Sequence, residues 1–161
     1  MIRCDLCKNR KNVVIGTGNK NAKIMFIGEG PGADEDTQGM PFVGKAGKNL
    51  TEFLTLSGLE RKDLYITNTV KIRPTKISSA GRIVNRPPTK EEIQLFLPWL
   101  KREIRMIGPK CVCTLGNVPL KALLGNEYII GDVHGQFIKK DDMIIYPRQY
   151  KELYARFNKK M

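Results

Sequence analysis

The stretch AKIMFIGEGPGADED, residues 22 to 36, decides the fold. Its first half is an apolar run with the length of a buried strand, and it breaks directly into a glycine loop that ends in acids. In open α/β sheets, ligands bind beyond the carboxyl ends of the strands. Gly28, Gly30 and Gly32 would let backbone amides approach a ligand, because no side chain intervenes. The stretch predicts a strand with a binding loop, and an ordinary tight turn with a solvated acidic edge is the alternative.

Strands and helices alternate along the rest of the chain. The pattern predicts three further strands, DLYITNTVKI, KCVCTLG and DMIIYP. Apolar residues at helical spacing predict helices over KNLTEFLTLSGL, TKEEIQLFLPWLKREIRMIG, NVPLKALLG and the basic terminal segment KELYARFNKKM. The first 20 residues are predicted to be irregular. The alternation predicts the α/β class, with a parallel sheet covered by helices on both faces, in a single domain over residues 1–161.

The longest predicted helix carries its own start signal and its own interruption. Thr89 is a suitable N-cap, and Glu92 occupies the capping-box position three residues later. Pro98 lies inside the helix and predicts a kink or a break, because proline has no amide hydrogen and its ring clashes with the preceding turn. We therefore expect a helix that begins after Thr89 and is disturbed at Pro98.

The chain is strongly basic. Lys and Arg number 28 against 16 Asp and Glu, so the net charge is 28 − 16 = +12 and the pI is near 9.7. Such an excess favours a polyanionic partner, most often nucleic acid, although a merely basic soluble protein is the alternative. The segment RPTKISSAGRIVNRPP, residues 73 to 88, concentrates this charge in a predicted loop. Loops of this length in compact domains are often functional.

The cysteines and the absence of apolar segments indicate the compartment. The first 20 residues hold no secretory signal, and no run approaches the roughly 18 apolar residues of a membrane helix. Cysteines without an export signal indicate thiols in a reducing, cytoplasmic location. Cys4 and Cys7 form one CxxC pair, which is half a metal site. Cys111 and Cys113 lie in a predicted strand and are expected to be buried thiols.

Three further features have both a functional and a structural interpretation. GMPFVGKA, residues 39 to 46, nearly matches a P-loop, but alanine replaces the hydroxyl that would bind magnesium and no strand precedes it. Phe42 in this segment is either a stacking platform on a rigid Pro-Phe turn or a core residue. Asn68 ends a predicted strand, where its amide could read the edge of a base or cap a turn. His134, the only histidine, is expected to be structural.

Five motifs recur in this order in one protein family: GTGN, GEGPGADED, GMPFVGKAG, ITNTVKIRP and NRPPTKEE. The sequence resembles the family 4 type of uracil-DNA glycosylase from about residue 4 to residue 135. The resemblance implies a three-layer αβα sandwich around a central four-stranded parallel sheet. It also implies that the GEGPG loop walls a uracil pocket, that Phe42 stacks on the flipped base and that Asn68 reads the uracil edge. The expected pocket residues of the loop are Gly28, Glu29, Gly30, Pro31 and Gly32.

The resemblance implies a hydrolase that flips uracil out of DNA and cleaves its N-glycosidic bond. The product would be an abasic site, which starts base-excision repair. Glu29 is the first candidate for the acid that stabilises the cationic sugar and orients a water, and Asp36 is the second. Asp34 and Glu35 are expected to be solvated or hydrogen-bonded to the loop. Loop amides would stabilise the departing uracil anion, as an oxyanion hole does.

The expected partner is uracil-containing DNA, bound by a monomer that is not associated with a membrane. The basic segment after the second strand would contact the phosphates. The candidate DNA-binding residues in this segment are Arg73, Lys76, Arg82, Asn85 and Arg86.

The sequence departs from the family pattern in a cofactor site. Family members usually hold a [4Fe-4S] cluster on four cysteines, of which Cys4 and Cys7 match the first pair. Ile72 stands at the third position, and Leu95 or a near neighbour at the fourth. We therefore expect no cofactor and no bound metal, and Cys4 and Cys7 would be ligands only if a cluster were retained.

A second departure concerns the C-terminal catalytic motif. The family has a His-Pro pair after the last strand, and its histidine donates to uracil O2. Here DMIIYP is followed by RQYKELYARF. Tyr150 falls at the histidine position without a gap. With a small gap, Pro147 matches the proline of the pair, and Arg148 and Gln149 follow it. The side chains of Tyr150, Arg148 and Gln149 are each a candidate donor to O2.

Three other functions are compatible with the residues. The altered C-terminal segment would suit a glycosylase for another deaminated base or for mismatched thymine. A protein that binds uracil in DNA without cleaving it is a second alternative. A nucleotide-dependent enzyme built on GMPFVGKA is a third, and the alanine in that segment argues against it.

Overall fold

The structure is a computed structural model, and it describes residues 10 to 149. A six-stranded sheet in the order β1-β3-β2-β6-β8-β7 forms the centre of this part of the chain. The strands are β1 (Thr17–Gly18), β2 (Ile24–Gly28), β3 (Tyr65–Asn68), β4 (Thr75–Ile77), β5 (Ile83–Asn85), β6 (Cys111–Leu115), β7 (Ile138–Lys140) and β8 (Met143–Arg148). The helices are α1 (Ala33–Gln38), α2 (Lys45–Leu56), α3 (Lys90–Ile107), α4 (Asn117–Leu124) and α5 (Ile130–Val133).

The four central strands, β3, β2, β6 and β8, are parallel. The expected four-stranded parallel sheet is therefore present, but antiparallel β1 and β7 extend it at its two edges. The sequence analysis predicted neither of these edge strands. β1 has only two residues and lies in the segment expected to be irregular, and β7 reads IKK, so neither shows an apolar alternation.

Helices cover both faces of the sheet because successive residues of its strands point in opposite directions. Phe26 packs on one side, in a core cluster with Leu50 and Leu54 of α2. Met25 packs on the other side, in a cluster with Leu100 of α3. These two clusters confirm the αβα sandwich.

Helix α3 begins as predicted and is not broken. Thr89 accepts from the Glu92 amide and the Glu92 carboxylate accepts from the Thr89 amide, at 3.2 and 2.8 Å. The helix is continuous from Lys90 to Ile107, so the alternative of a break at Pro98 is wrong. Pro98 is exposed, and so is Gln94, whose carbonyl loses its partner to the proline. Water can solvate that carbonyl, and packing of the opposite face keeps the helix intact.

Two segments predicted as loops are ordered elements. The acids after GEGPG lie in α1, where Asp34, Glu35 and Asp36 form the first turn and interact favourably with the helix dipole. The basic segment 73–88 contains an antiparallel hairpin, β4–β5, which forms a separate two-stranded sheet. Within residues 10–149, no helix is both long enough and apolar enough to cross a membrane. The predicted N-terminal arm falls partly, and the terminal helix wholly, outside the described residues.

Candidate functional site

A cavity of about 600 Å³ opens at the carboxyl ends of the parallel strands. Four segments wall it: the loop after β2 with the start of α1, the turn before α2, the ends of β3 and β6, and the base of the hairpin. The lining residues are Glu29, Gly30, Pro31, Gly32, Ala33, Asp34, Glu35, Phe42, Gly44, Lys45, Ala46, Asn68, Pro74, Asn85, Arg86, Leu115 and Gly116. The structure thus brings Glu29, Gly30, Pro31, Gly32, Phe42 and Asn68 to one cavity.

Gly28 lies behind the cavity instead of lining it, which corrects its predicted contact with the substrate. It is the register partner of Asn68 across β2 and β3. A β-carbon at Gly28 would lie 2.5 Å from Asn68 Oδ1 and 2.5 Å from Phe42 Cζ. Only glycine at this position leaves room for both side chains.

Phe42 lines the cavity in an uncommon backbone conformation. Its φ is 55°, in the left-handed region that bulky residues rarely occupy. Arg61 Nη2 donates to the Pro41 carbonyl at 2.8 Å, and the Phe42 backbone packs directly on Gly47 of α2. The ring is only 6% exposed and belongs to the core cluster of Phe26. Phe42 is therefore both a core residue and a wall of the cavity, so its two interpretations are compatible.

Glu35 joins the two loops that face each other across the cavity. Its Oε2 accepts from the Gly32 amide at 3.1 Å, and its Oε1 accepts from the Val43 and Gly44 amides at 3.0 and 2.8 Å. The side chain is buried, whereas Asp34 is exposed. Glu35 is thus hydrogen-bonded to the loop, as expected, and it holds the Pro-Phe turn at a defined distance from the glycine loop.

Glu29 is one of the carboxylates that the cavity leaves available. Its backbone carbonyl accepts from the Val70 amide at 3.2 Å, which fixes the loop to the segment after β3. Its side chain is exposed and makes no hydrogen bond or ion pair with residues 10–149. The surrounding cavity wall still removes part of its hydration, which raises the pKa of Glu29 above its ordinary value.

Asp36 does not reach the cavity. It is 2% exposed, and its Oδ1 accepts from the Lys11 and Asn12 amides at 2.9 and 3.1 Å. Asn12 Nδ2 also donates to the Asp36 carbonyl at 2.7 Å. The carboxylate anchors the N-terminal segment to α1, because the helical turn points it away from Glu29. This placement corrects the expectation that Asp36 orients the attacking water.

The C-terminal candidates also lie away from the cavity wall. The Arg148 guanidinium carbon is 5.7 Å from the ring centre of Phe53 and 5.8 Å from that of Tyr146. The side chain makes cation–π contacts with both rings and does not line the cavity, so its position does not support the predicted hydrogen bond to the base. Gln149 is half-buried and does not line the cavity. Tyr150 lies outside the described residues.

The candidate DNA-binding residues divide into two groups. Arg86 forms a bidentate ion pair with buried Glu92, at 2.7 Å for both contacts, and its Nε donates to the Thr75 carbonyl at 2.9 Å. Arg73 Nε donates to Asn85 Oδ1 at 2.7 Å. These contacts hold the base of the hairpin and correct the expectation that Arg86 is a free phosphate ligand. Lys76 and Arg82, in contrast, are exposed.

Hydrocarbon side chains occupy the two predicted cluster-ligand positions in the described part of the chain. Ile72 is 2% exposed in a core cluster with Val70 and Phe96, and Leu95 packs against that cluster. Neither side chain has an atom that could coordinate iron, so these two positions supply no ligand for a [4Fe-4S] cluster. Cys4 and Cys7 lie outside the described residues. Cys113 is buried in the core, as expected, and burial raises its pKa.

The structure supports neither a P-loop in GMPFVGKA nor a place for His134 at the cavity. Gly39 of GMPFVGKA follows helix α1, with a φ of 72°, whereas a P-loop follows a strand. The segment therefore lacks the context that a nucleotide-binding loop requires. His134 is the residue that ends α5, and it does not line the cavity.

Sequence reasoning missed several lining residues, among them Lys45, Leu115 and Gly116, and one buried ion pair. Leu115 and Gly116 line the cavity at the end of β6, and the strand-end rule applied to KCVCTLG would have found them. Lys45 lines it at the start of α2. Lys71 forms an ion pair with Glu103 of α3 behind Asn68, and no local signal joins residues so far apart in sequence.

Comparisons with known proteins agree with this geometry. The family model described as "Uracil DNA glycosylase superfamily" matches residues 15–157. A Type-4 uracil-DNA glycosylase of Archaeoglobus fulgidus is 47% identical over 114 residues, which cover 71% of this chain and 53% of the relative. Proteins of the same name from Saccharolobus solfataricus and Thermotoga maritima are each 44% identical, over 84% and 82% of this chain and 61% and 65% of the relative. The chain thus spans between about half and two thirds of the length of these relatives.

Proposed function

The chain belongs to the uracil DNA glycosylase superfamily, and we propose that it is a monofunctional uracil-DNA glycosylase. It would hydrolyse the N-glycosidic bond of uracil in DNA, leave an abasic site and start base-excision repair. The observation that carries the proposal is the convergence of Phe42, Asn68 and Glu29 on one strand-end cavity. The relatives are uracil-DNA glycosylases by name, which supports the same substrate.

Extrusion of the base explains why an aromatic ring lines the cavity. A base inside a duplex is inaccessible, so the nucleotide must rotate out and lose its stacking partners. The Phe42 ring replaces part of that stacking. Its left-handed backbone, the Arg61 hydrogen bond and the contact with Gly47 hold the ring in place before the base arrives. A wall that is already in position costs little reorganisation when the base binds.

Asn68 supplies the discrimination between uracil and cytosine. Its amide can donate to uracil O4 and accept from uracil N3–H, whereas cytosine presents a donor and an acceptor in the reverse order. Asn68 is 3% exposed, so a mismatched base would leave polar atoms unpaired in a buried site. Such a mismatch is costly, which makes the amide an effective filter.

Glu29 supplies the negative charge for the reaction. As the bond between sugar C1′ and uracil N1 breaks, its electron pair leaves with uracil and positive charge develops on the sugar. The Glu29 carboxylate stabilises that cation and orients a water, whose oxygen bonds to C1′ and whose proton is released. Its freedom from other partners among residues 10–149 supports this role.

We propose that the protein works without an iron–sulfur cluster. The apolar cluster of Val70, Ile72 and Phe96, with Leu95 against it, supports this proposal because it packs where two ligands would be required. The expected form is a cytoplasmic monomer. Iron analysis of protein purified without oxygen, together with sedimentation, tests both statements.

The decisive assay uses a labelled oligonucleotide with one uracil, followed by alkali. The wild-type protein is expected to generate a cleaved strand, and Glu29→Gln is expected to lose this product. Glu52→Gln, an exposed glutamate of α2 outside the cavity, is the matched control and should cleave normally. An intact strand that is bound tightly and selectively by wild-type protein would contradict the glycosylase and indicate a uracil-binding protein. A panel with hypoxanthine and mismatched thymine tests the other lesions.

A further inference from the structure

The β4–β5 hairpin rises from the rim of the cavity. Pro74, Asn85 and Arg86, at the base of its two strands, line the cavity wall. Within residues 10–149 the hairpin pairs with no strand of the central sheet. Its base is fixed by the Arg86–Glu92 ion pair and by the Arg73–Asn85 hydrogen bond. The hairpin is therefore held firmly at the cavity and projects beyond it.

One face of the hairpin carries an exposed apolar pair. Ile77 and Ile83 are register partners, and they are 75% and 58% exposed. Side chains alternate along a strand, so this pair shares a face with Asn85 two residues further. Asn85 Nδ2 would lie 3.5 Å from a β-carbon at Gly32 of the cavity loop. The isoleucines therefore project from the face of the hairpin that is turned toward the cavity.

Strand stability alone accounts poorly for this pair. Cross-strand β-branched residues do stabilise a hairpin, but a two-stranded sheet is marginal in water without a further surface to cover its face. Two isoleucines beside a binding cavity indicate a contact that is made only when a partner is bound.

The charge of the segment identifies the partner. Residues 73 to 90 contain five cationic side chains, Arg73, Lys76, Arg82, Arg86 and Lys90, and no acid. Lys76 and Arg82 are exposed, and each directly precedes one of the two isoleucines in the sequence. An apolar tip flanked by cations complements stacked bases flanked by phosphates.

We propose that the hairpin inserts Ile77 and Ile83 against the base pairs that flank the extruded nucleotide in double-stranded DNA. The inference rests on the proposed function. Extrusion leaves a gap in the stack, and an apolar wedge that covers the gap slows the return of the base. Single-stranded DNA has no stacked partner strand, so the wedge contributes only on a duplex.

The test compares one variant on two substrates. Ile77→Thr/Ile83→Thr keeps β-branching, so the hairpin retains its strand propensity while it loses its apolar tip. We expect kcat/KM on double-stranded uracil DNA to fall about tenfold or more, with a change of less than about twofold on the single-stranded oligonucleotide. The matched control is Ile144→Thr, which replaces an exposed isoleucine near the opposite end of the parallel strands. It should leave kcat/KM unchanged on both substrates.

A binding measurement separates the wedge from the chemistry. A duplex with a non-cleavable uracil analogue and a neighbouring 2-aminopurine reports unstacking by its fluorescence. Wild-type protein should raise the signal, and Ile77→Thr/Ile83→Thr should not. An equal rise in fluorescence for both proteins would overturn the proposal that the isoleucines act as a wedge. An equal loss of kcat/KM on single-stranded and double-stranded DNA would overturn it as well. Absence of cleavage of both the single-stranded and the double-stranded substrate by wild-type protein would instead refute the glycosylase.

Discussion

Lys71 Nζ donates a 2.7 Å hydrogen bond to the backbone carbonyl of Asn68. The same ammonium donates to Thr67 Oγ1 at 2.7 Å and forms an ion pair with Glu103 of α3. Lys71 is 3% exposed, and its burial lowers its pKa, an effect that Glu103 opposes. The end of β3, and with it the base-reading amide, is thus tied to a buried charge on a helix outside the cavity. Lys71 is a positioning residue.

Removal of this ammonium should destabilise the protein. Lys71→Met leaves the Glu103 carboxylate partly buried and unpaired, and we expect a loss of about 3 kcal/mol in the free energy of unfolding. The double variant Lys71→Met/Glu103→Gln should recover most of the loss, because it removes both charges and keeps the side-chain oxygen that accepts from the Gly16 amide. Urea titration measures each value. Lys62→Met, in an exposed pair with Glu60, is the control and should show no measurable change.

A methyl group at Gly28 should block the site without unfolding the protein. The added carbon would displace the Asn68 amide or the Phe42 ring, and a displacement of about 1 Å can cost about 100-fold in rate. We expect kcat/KM of Gly28→Ala to fall by about that factor. Gly131→Ala provides the comparison, since a β-carbon there meets no atom within 4 Å. Normal cleavage by a folded Gly28→Ala protein would show that Phe42 and Asn68 do not define the pocket.

Truncation of Asn68 should remove uracil recognition. Asn68→Ala deletes the amide that pairs with the base, and we expect kcat to fall by about 10²–10³-fold, the usual cost of one lost transition-state donor. Thermal unfolding should confirm that the variant is folded. Asn21→Ala, at an exposed position before β2, should retain the wild-type rate. A normal rate for Asn68→Ala would make the base-reading assignment wrong.

The raised pKa of Glu29 predicts how activity depends on pH. The reaction needs the carboxylate, so log kcat/KM should fall as pH drops through the Glu29 pKa, which lies above its ordinary value of 4.5. Glu29→Gln should lose most of its activity, and its remaining activity should not show this fall at acidic pH. A pH–rate profile on the single-stranded oligonucleotide measures this fall.

The same pKa shift also predicts how the stability of the protein changes with pH. Between 4.5 and the folded-state pKa the folded protein binds more protons than the unfolded chain, so Glu29 makes the protein less stable as pH rises through that window. Glu29→Gln should therefore unfold at a higher temperature than wild type at neutral pH. The two proteins should differ less below pH 4.5. A difference of the opposite sign would contradict desolvation as the cause of the shift.

The exposed cations of the hairpin should govern the salt dependence of DNA binding. Lys76→Ser/Arg82→Ser removes two phosphate contacts, so the slope of log affinity against log salt should become less negative by about 1.8. Binding titrations of a duplex at several salt concentrations measure the slope. The control Lys23→Ser/Lys110→Ser removes two exposed cations at the amino ends of the central strands β2 and β6, whereas the cavity lies at the carboxyl ends. Equal slopes for the two double variants would show that the hairpin cations do not contact the DNA.

The sequence alone determined the parallel centre of the sheet and part of the cavity lining, including Glu29, Phe42 and Asn68. Strand propensity, helix caps and glycine turns are local properties, so β2, the end of β3 at Asn68 and the Thr89 cap were all predictable. The family motifs added Glu29 and Phe42. Glu35 was expected to bond to the loop, and it does.

Only the tertiary structure decided which polar side chains remain available. Asp36, Arg86 and Arg148 have the chemistry expected of a DNA-repair site, but each is engaged by a residue outside its own secondary-structure element. The buried Lys71–Glu103 pair and the isoleucine face of the hairpin likewise depend on contacts or registers that no local pattern contains. The physical reason is that a side chain's partners are set by chain segments far away in sequence, whereas its propensity is set by its immediate neighbours.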